Sequence, residues 1–304
     1  MTPRVRLAIT LGDPRGIGPE ITAAVLAAGV DAEITAIGAK EQIAALPVDH
    51  RIATGSWRST EGPVRTAAIE AGLITGRAIE QAARLALSGE VDAIVTAPAE
   101  KHALHLAGFP FPGHTEWLAH LAQVRDVAMM LASERLRVVL VTTHVALRDV
   151  PLMLTTDKIV RTGEVTRRAL QQWFGIAEPR LALCALNPHA GEQGLFGDEE
   201  ARVLAPAAVR LGAAGPLAAD TVFVRAMAGE FDAVLAPYHD VGMTAIKVAS
   251  FGAAVNVTLG LPFVRTSPDH GTAIDIAGTG SADPSSMRAA VQLAIDLARR
   301  SHSQ

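Results

Sequence analysis

The sequence predicts an α/β protein built on a largely parallel sheet, and three observations carry that expectation. Short apolar runs alternate with helical stretches along all 304 residues, the pattern of strand–helix–strand units. Most of those runs are continuously apolar rather than alternating, as in strands covered on both faces. Turns rich in Gly and His follow several of the runs directly, and open α/β sheets bind ligands beyond the carboxyl ends of their strands.

Taken in order, the predicted strands are Val5–Leu11, Glu33–Ile37, Val91–Thr96, Val127–Leu131, Leu136–Thr142, Arg180–Ala185, Asp232–Ala236 and Val255–Leu259. Helices are expected between them. Pro19–Ala28 opens with a proline at its first position, where the missing N–H costs nothing. Thr66–Ser88 is long and Ala-rich. Thr155–Trp173 carries Ile159, Val165 and Leu170 among charged residues. Asp198–Leu211 begins with Asp198, Glu199 and Glu200, which suit the positive end of a helix dipole. Met287–Arg299 closes the chain, with Arg299 and Arg300 at its negative end. At roughly 150 residues per domain the length suggests about two domains.

Composition excludes several functions. With 27 Lys+Arg against 31 Asp+Glu the net charge is −4, which gives no electrostatic reason to expect nucleic acid or an anionic membrane surface. No apolar stretch is long enough to span a bilayer. The segment MTPRVRLAIT runs directly into a strand without a signal-peptide core, so a soluble cytoplasmic protein is expected. A single cysteine, Cys184, rules out an intrachain disulfide framework and a Cys-rich zinc site. Any metal must therefore be held by His and carboxylates, and there are ten histidines.

Three histidines stand just beyond predicted strands: His144 after Thr142-Thr143, His189 in Asn187-Pro188-His189-Ala190-Gly191-Glu192, and His239 in Tyr238-His239-Asp240. One such histidine is usually structural. Three, converging at one sheet edge, could form a three-nitrogen site with an open coordination position. The turn Gly12-Asp13-Pro14-Arg15-Gly16-Ile17-Gly18 joins the first strand to the first helix and reads either as a tight turn or as an anion cradle. It fits neither a Walker loop nor G-x-G-x-x-G. In Gly113-His114-Thr115-Glu116, Thr115 is placed to cap a helix, or else the His-Thr pair faces a polar ligand. Lys247 reads either as a solvated surface lysine or, from its apolar flanks, as one partly buried near a site, and the flanks favour the second. Asn256 lies inside an apolar strand and needs a partner. Arg265 suits bidentate recognition of phosphate or carboxylate, or a structural ion pair. The segment from Ser267 to Gly280 is dense in Gly, Asp and His, a loop fit for close approach to a ligand.

Together these segments resemble the 4-hydroxythreonine-4-phosphate dehydrogenase family of vitamin B6 biosynthesis. The resemblance rests on ITLGDPRGIGPE, VTAPAEKHALHLAGFPFPGHTE, VTTHVALRDV, LNPHAGEQGLFGDEE, AADTVF and YHD…K…VNVTLGLPFVRTSPDHGTAIDIAGTG, and covers nearly the whole chain. It implies an isocitrate/isopropylmalate dehydrogenase-like fold of two α/β domains with a cleft between them. The first would comprise 1–125 plus 256–304 on the nucleotide side, the second 126–255 at the dimer interface. It implies a homodimer with the active site at the subunit interface, and His239 supplied across that interface. His144, His189 and His239 match the family's metal ligands. His114, Thr115, Lys247, Asn256 and Arg265 match its substrate contacts. Lys247, Asp240 and Asp220 match positions taken as catalytic. The loop residues His270, Gly271, Thr272, Ala273, Asp275, Ala277 and Gly278 match the nucleotide-binding stretch.

The implied reaction is oxidation of a secondary alcohol in 4-phosphohydroxy-L-threonine by NAD(P)⁺. The resulting 3-keto acid loses carbon dioxide to give 3-amino-2-oxopropyl phosphate. One divalent ion per site is implied; His₃ coordination suits zinc, with magnesium, cobalt and nickel as alternatives. Two positions depart from the family: Val241 stands where many relatives carry Gln, and Arg15 where a small residue is common. They leave open 4-phospho-D-erythronate, 4-phospho-D-threonate and, further off, a cis-dihydrodiol dicarboxylate as substrate. An acyltransferase of the same fold and a non-catalytic small-molecule binder are the competing classes.

Overall fold

The computed structural model describes residues 4–58, 63–250 and 253–302. They group into two compact units, the first from the described residues of 4–125 and 261–302, the second from those of 126–260. In the first unit the chain runs β1 (Arg6–Thr10), α1 (Gly18–Ala27), β2 (Glu33–Ala39), α2 (Lys40–Ile43), β3 (His50–Gly55), α3 (Val64–Leu87), β4 (Ala93–Thr96), α4 (Lys101–Leu106) and α5 (His114–Leu121). The second unit holds β5 (Ala128–Ala132), β6 (Arg137–Leu140), α6 (Val150–Met153), α7 (Thr156–Gln172), β7 (Leu181–Cys184), α8 (Ala205–Leu211), β8 (Ala214–Leu217), α9 (Ala219–Met227), β9 (Ala233–Ala236), α10 (His239–Ser250) and β10 (Val255–Leu259). The chain then returns to the first unit with β11 (Val264–Pro268) and α11 (Ser285–Ser301).

The α/β class is borne out. Strand order in the first unit is β3-β2-β1-β4-β11, every pairing parallel. In the second it is β10-β5-β6-β9-β7-β8. There the β10–β5 and β5–β6 pairs are antiparallel and the rest parallel. The apolar runs became strands because both faces are covered: Leu7, Ala8 and Ile9 of β1 are fully buried, as are Val234 and Leu235 of β9. No helix among the described residues is long and apolar enough to cross a membrane.

Three strands and several helices escaped the sequence reading. β3 is a polar, largely exposed strand. β8 contains Gly215 and Pro216, both poor strand formers. β11 reads Val-Arg-Thr-Ser-Pro, yet all five residues are buried; polar side chains hid a core strand. α10 takes up the stretch read only as His, Asp and Lys in sequence. The helix expected from Asp198 starts instead as a π-turn over Glu200–Leu204 before α8 begins.

Small residues set how closely α3 packs. A Cβ on Gly72 would stand 2.1 Å from the Ala103 carbonyl oxygen of α4, and one on Gly76 would stand 2.1 Å from the Phe109 ring. Phe109 and Phe111 in turn flank Trp117 of α5, with ring centroids 4.7 and 5.2 Å away. Thus the glycines of α3 seat α4, and the aromatic group beyond it seats the helix that begins with His114. Alanine is the better helix former by about 1 kcal/mol, but the clash with backbone at Gly72 outweighs it. Gly72→Ala is expected to destabilise the protein by about 1–3 kcal/mol, read as a lowered urea midpoint with unchanged slope.

Candidate active site

In the second unit, β6, β9 and β7 are parallel neighbours. Their carboxyl ends therefore lie on one sheet edge, and His144, His239 and His189 follow those ends in turn. His144 and His239 come together, with ring centroids 5.5 Å apart, in a pocket lined also by Thr143, Val145, Leu147, Val150, Tyr238 and Asp240. Asp240 Oδ1 is 2.6 Å from His239 Nδ1. That contact orients the imidazole and leaves Nε2 as the nitrogen available to a ligand. This pairing is within one chain, whereas the family resemblance has His239 crossing from a partner. His189 is exposed in a 3-10 turn, Pro188–Gly194, with φ of 50°. Among the described residues no group of three or more His, Cys, Asp or Glu side chains is spaced to hold a metal ion. Sequence reasoning placed the three histidines on one edge, and the structure brings two of them into contact.

The other predicted residues of this unit divide. Asn256 lies in β10 with its Oδ1 buried and without a hydrogen-bond partner, as expected of a group awaiting a ligand. Lys247 is exposed on α10, not partly buried. In a helix its neighbour Ile246 takes the core face while the next positions turn away, so apolar flanks were a poor guide. Asp220 is exposed in the first turn of α9. Val241 packs against the apolar core of the unit, where hydrocarbon replaces any polar contact. Cys184 belongs to that same core, and burial, with Glu200 adding, pushes its thiol up to about 12. It stays protonated and takes no part in chemistry.

In the first unit the decisive side chain is Arg265 on β11. It is 3% exposed and its Nη2 donates to Thr96 Oγ1 at 2.6 Å. Burial brings its pKa down to about 10, with Glu116 opposing the fall, so it remains a cation at neutral pH. His114 opens α5 with its Nε2 buried and without a hydrogen-bond partner. Burial, then Arg265 and Lys101, bring its pKa down to about 3. It is therefore a neutral hydrogen-bonding group rather than a second cation. Thr115 is buried in α5 and does not cap it; Gly113 holds the cap position and no side chain bonds there. Thr96, which steadies Arg265, was missed in the sequence because a threonine ending an apolar run carries no distinguishing signal.

The glycine-rich turn proves structural. The amides of Asp13, Arg15, Gly16 and Ile17 bond to Pro98 O, Asp13 Oδ1, Asp13 O and Thr272 O. Those four donors are unavailable to an anion. Gly16 is required because the Thr272 carbonyl oxygen stands 2.6 Å from where its Cβ would be. Arg15 is held by Asp13 (2.7 Å) and Glu100 (2.6 Å), so it presents no extra charge to a substrate. The turn thus backs the loop of His270, Gly271, Thr272, Ala273, Asp275, Ala277 and Gly278. Gly278 N–H also donates to Glu20 Oε2 at 3.1 Å. The loop itself is largely exposed, and a Cβ on Gly271 or Gly278 would meet nothing within 4 Å. Its outer face is open to a ligand.

Residues 9–294 match the family model described as pyridoxal phosphate biosynthetic protein PdxA. The chain belongs to the PdxA family. It is 47% identical to a 4-hydroxythreonine-4-phosphate dehydrogenase from Geobacter metallireducens, across 97% of this chain and 96% of that one. It is 42% identical to a D-threonate 4-phosphate dehydrogenase from Pectobacterium atrosepticum, across 96% and 99%. The crystal structure of a 4-hydroxythreonine-4-phosphate dehydrogenase from Klebsiella pneumoniae superposes with a TM-score of 0.87 at 39% identity, covering 97% of this chain and all of that one. The protein is a dehydrogenase of this family.

The neutral state of His114 has a consequence for stability. Its pKa is about 3 in the fold against about 6.5 unfolded. Between those values the unfolded chain binds the additional proton, so acidification through that window favours unfolding. His114→Gln, which cannot titrate, is expected to lose less stability than the parent between pH 7 and pH 4.5 in urea denaturation. An equal loss in both proteins would show that His114 is not held neutral.

Proposed function

We propose that this dehydrogenase oxidises the secondary alcohol of 4-phosphohydroxy-L-threonine with NAD(P)⁺, and that the 3-keto acid then decarboxylates to 3-amino-2-oxopropyl phosphate. The observation that carries the reading is the buried Arg265 cation beside the neutral, unsatisfied His114. A buried guanidinium with a hydroxyl at one nitrogen and an orphaned imidazole nearby is a receptor for an anion that also accepts or donates hydrogen bonds. A phosphate or carboxylate of the substrate meets both demands. Asn256, with its buried orphan oxygen, would bond a hydroxyl or ammonium group. Lys247, long and exposed, would reach an anionic end or carry a proton, and Asp240 keeps His239 in one tautomer.

The histidine pair suits a divalent metal: two imidazoles lie with ring centroids 5.5 Å apart, tilted by 43°, and a carboxylate orients one of them. His144 and His239 would hold the ion, with His189 of either copy in a homodimer as the third donor, and zinc suits that set. When bound, the ion would polarise the alcohol and later the ketone oxygen. The loop His270–Gly278 would hold the nucleotide, which would accept the hydride. Homodimerisation through the second unit is part of this reading, and exposed Leu147, Leu152, Leu195, Phe196, Val224 and Val248 are the apolar side chains that unit offers to a partner. Asp220, exposed at the start of α9, would line the site in such an assembly.

4-Phospho-D-threonate is the competing substrate, since relatives of near-equal identity carry that name. The test follows NAD(P)H absorbance with 4-phosphohydroxy-L-threonine, 4-phospho-D-threonate and 4-phospho-D-erythronate, before and after chelation. Turnover of the first, lost on chelation and restored by Zn²⁺, is expected. Turnover of only the others would overturn the substrate, and turnover indifferent to chelation would overturn the metal. Arg265→Met is expected to lower kcat/KM by roughly 10- to 100-fold, mostly through KM, as loss of a charged hydrogen bond requires.

A further inference from the structure

The turn carrying His189 is wound against the chirality of its residues. His189, Ala190, Glu192 and Gln193 have φ of 50, 55, 42 and 57°, with Gly191 at 81° between them. L-residues rarely adopt this left-handed conformation, and a run of them persists only where the surroundings over-determine it. Directly behind it stands Glu200, a carboxylate only 6% exposed that the proposed chemistry leaves unused. Its Oε1 accepts from the backbone N–H of Leu186 (2.9 Å) and of Asn187 (2.7 Å). Its Oε2 accepts from Asn187 Nδ2 at 2.8 Å, and that nitrogen also donates to Glu199 Oε2 at 2.8 Å. The turn closes over the carboxylate at Gly191, where a Cβ would stand 2.9 Å from Glu200 Oε2.

Glu200 opens the π-turn Glu200–Leu204. Such single turns are rare and concentrate at functional sites. One carboxylate thereby bonds the strand exit after β7 and the Asn187 side chain, at the point where the histidine turn begins, and Gly191 of the turn passes close over it.

We infer that Glu200 is a positioning residue, which holds the Asn187–Gly194 turn and so sets where the His189 imidazole stands. The inference rests on the reading of His189 as a metal ligand, and it adds a residue that reading does not contain. A residue that fixes where a ligating side chain stands is expected to alter metal affinity without touching the ion.

The experiment uses the full chain with labelled histidines, the His189 ring signal being assigned through His189→Gln. Ring shifts are recorded by NMR in metal-free protein, and Zn²⁺ alone is titrated calorimetrically. Glu200→Ala is expected to shift the His189 ring signal, leave the His114 signal in place, and weaken Zn²⁺ binding about 10- to 100-fold. Glu200→Gln keeps an oxygen for the two backbone donors and is expected to recover to within about threefold. An unshifted His189 signal with parental Zn²⁺ affinity in Glu200→Ala overturns the inference. If the parent binds no Zn²⁺, the metal reading fails and the ring shift alone decides the role of Glu200. If Glu200→Ala does not fold, Asn187→Ala, which cuts only the side-chain link, decides: a displaced His189 signal supports the role and an unmoved one overturns it.

Discussion

Parallel pairing of β6, β9 and β7 is the constraint from which the rest of the site follows. Val234 of β9 pairs with Val138 on one side and Ala182 on the other. Hydrogen-bonded strands that share a direction must end on the same edge, so the segments after them are delivered together whatever their distance in sequence. The strands are buried on both faces, so each backbone N–H and C=O in them needs its ladder partner. His144 and His239 meet because their strands are immediate neighbours. His189, one strand further out, arrives on the same edge but at the end of a wound turn.

Burial sets the charge state of the first unit. The same desolvation lowers both Arg265 and His114. Arg265 begins so high that it remains charged at neutral pH, whereas His114 falls well below it. One buried cation and one neutral imidazole result from a single physical effect acting on two different starting points. Two adjacent cations would repel each other without a ligand; this pair does not.

Carboxylates tied back to backbone amides recur behind the loops of both units. Asp13, 1% exposed, bonds the Arg15 amide and the Arg15 guanidinium, fixing the glycine turn under the Thr272–Gly278 loop. Glu200 does the corresponding work beneath His189. In each case an acceptor with several lone pairs satisfies donors that an irregular segment would otherwise bury unpaired. The loops that face ligands are irregular, and the residues behind them supply the order.

The α/β class, the buried strands and the placement of histidines beyond them were legible in the sequence, because apolar periodicity and strand–helix alternation are local signals. The segments that mark the family were legible too, since their order along the chain needs no folding to be read. β11 was not, because Arg265, Thr266 and Ser267 are polar residues buried by their partners rather than by their own nature. The helical face of Lys247, the neutral state of His114, the capture of Arg15 and the grip of Glu200 on the His189 turn were decided only in three dimensions. Each depends on burial and on partners brought from distant parts of the chain, and a linear sequence carries neither.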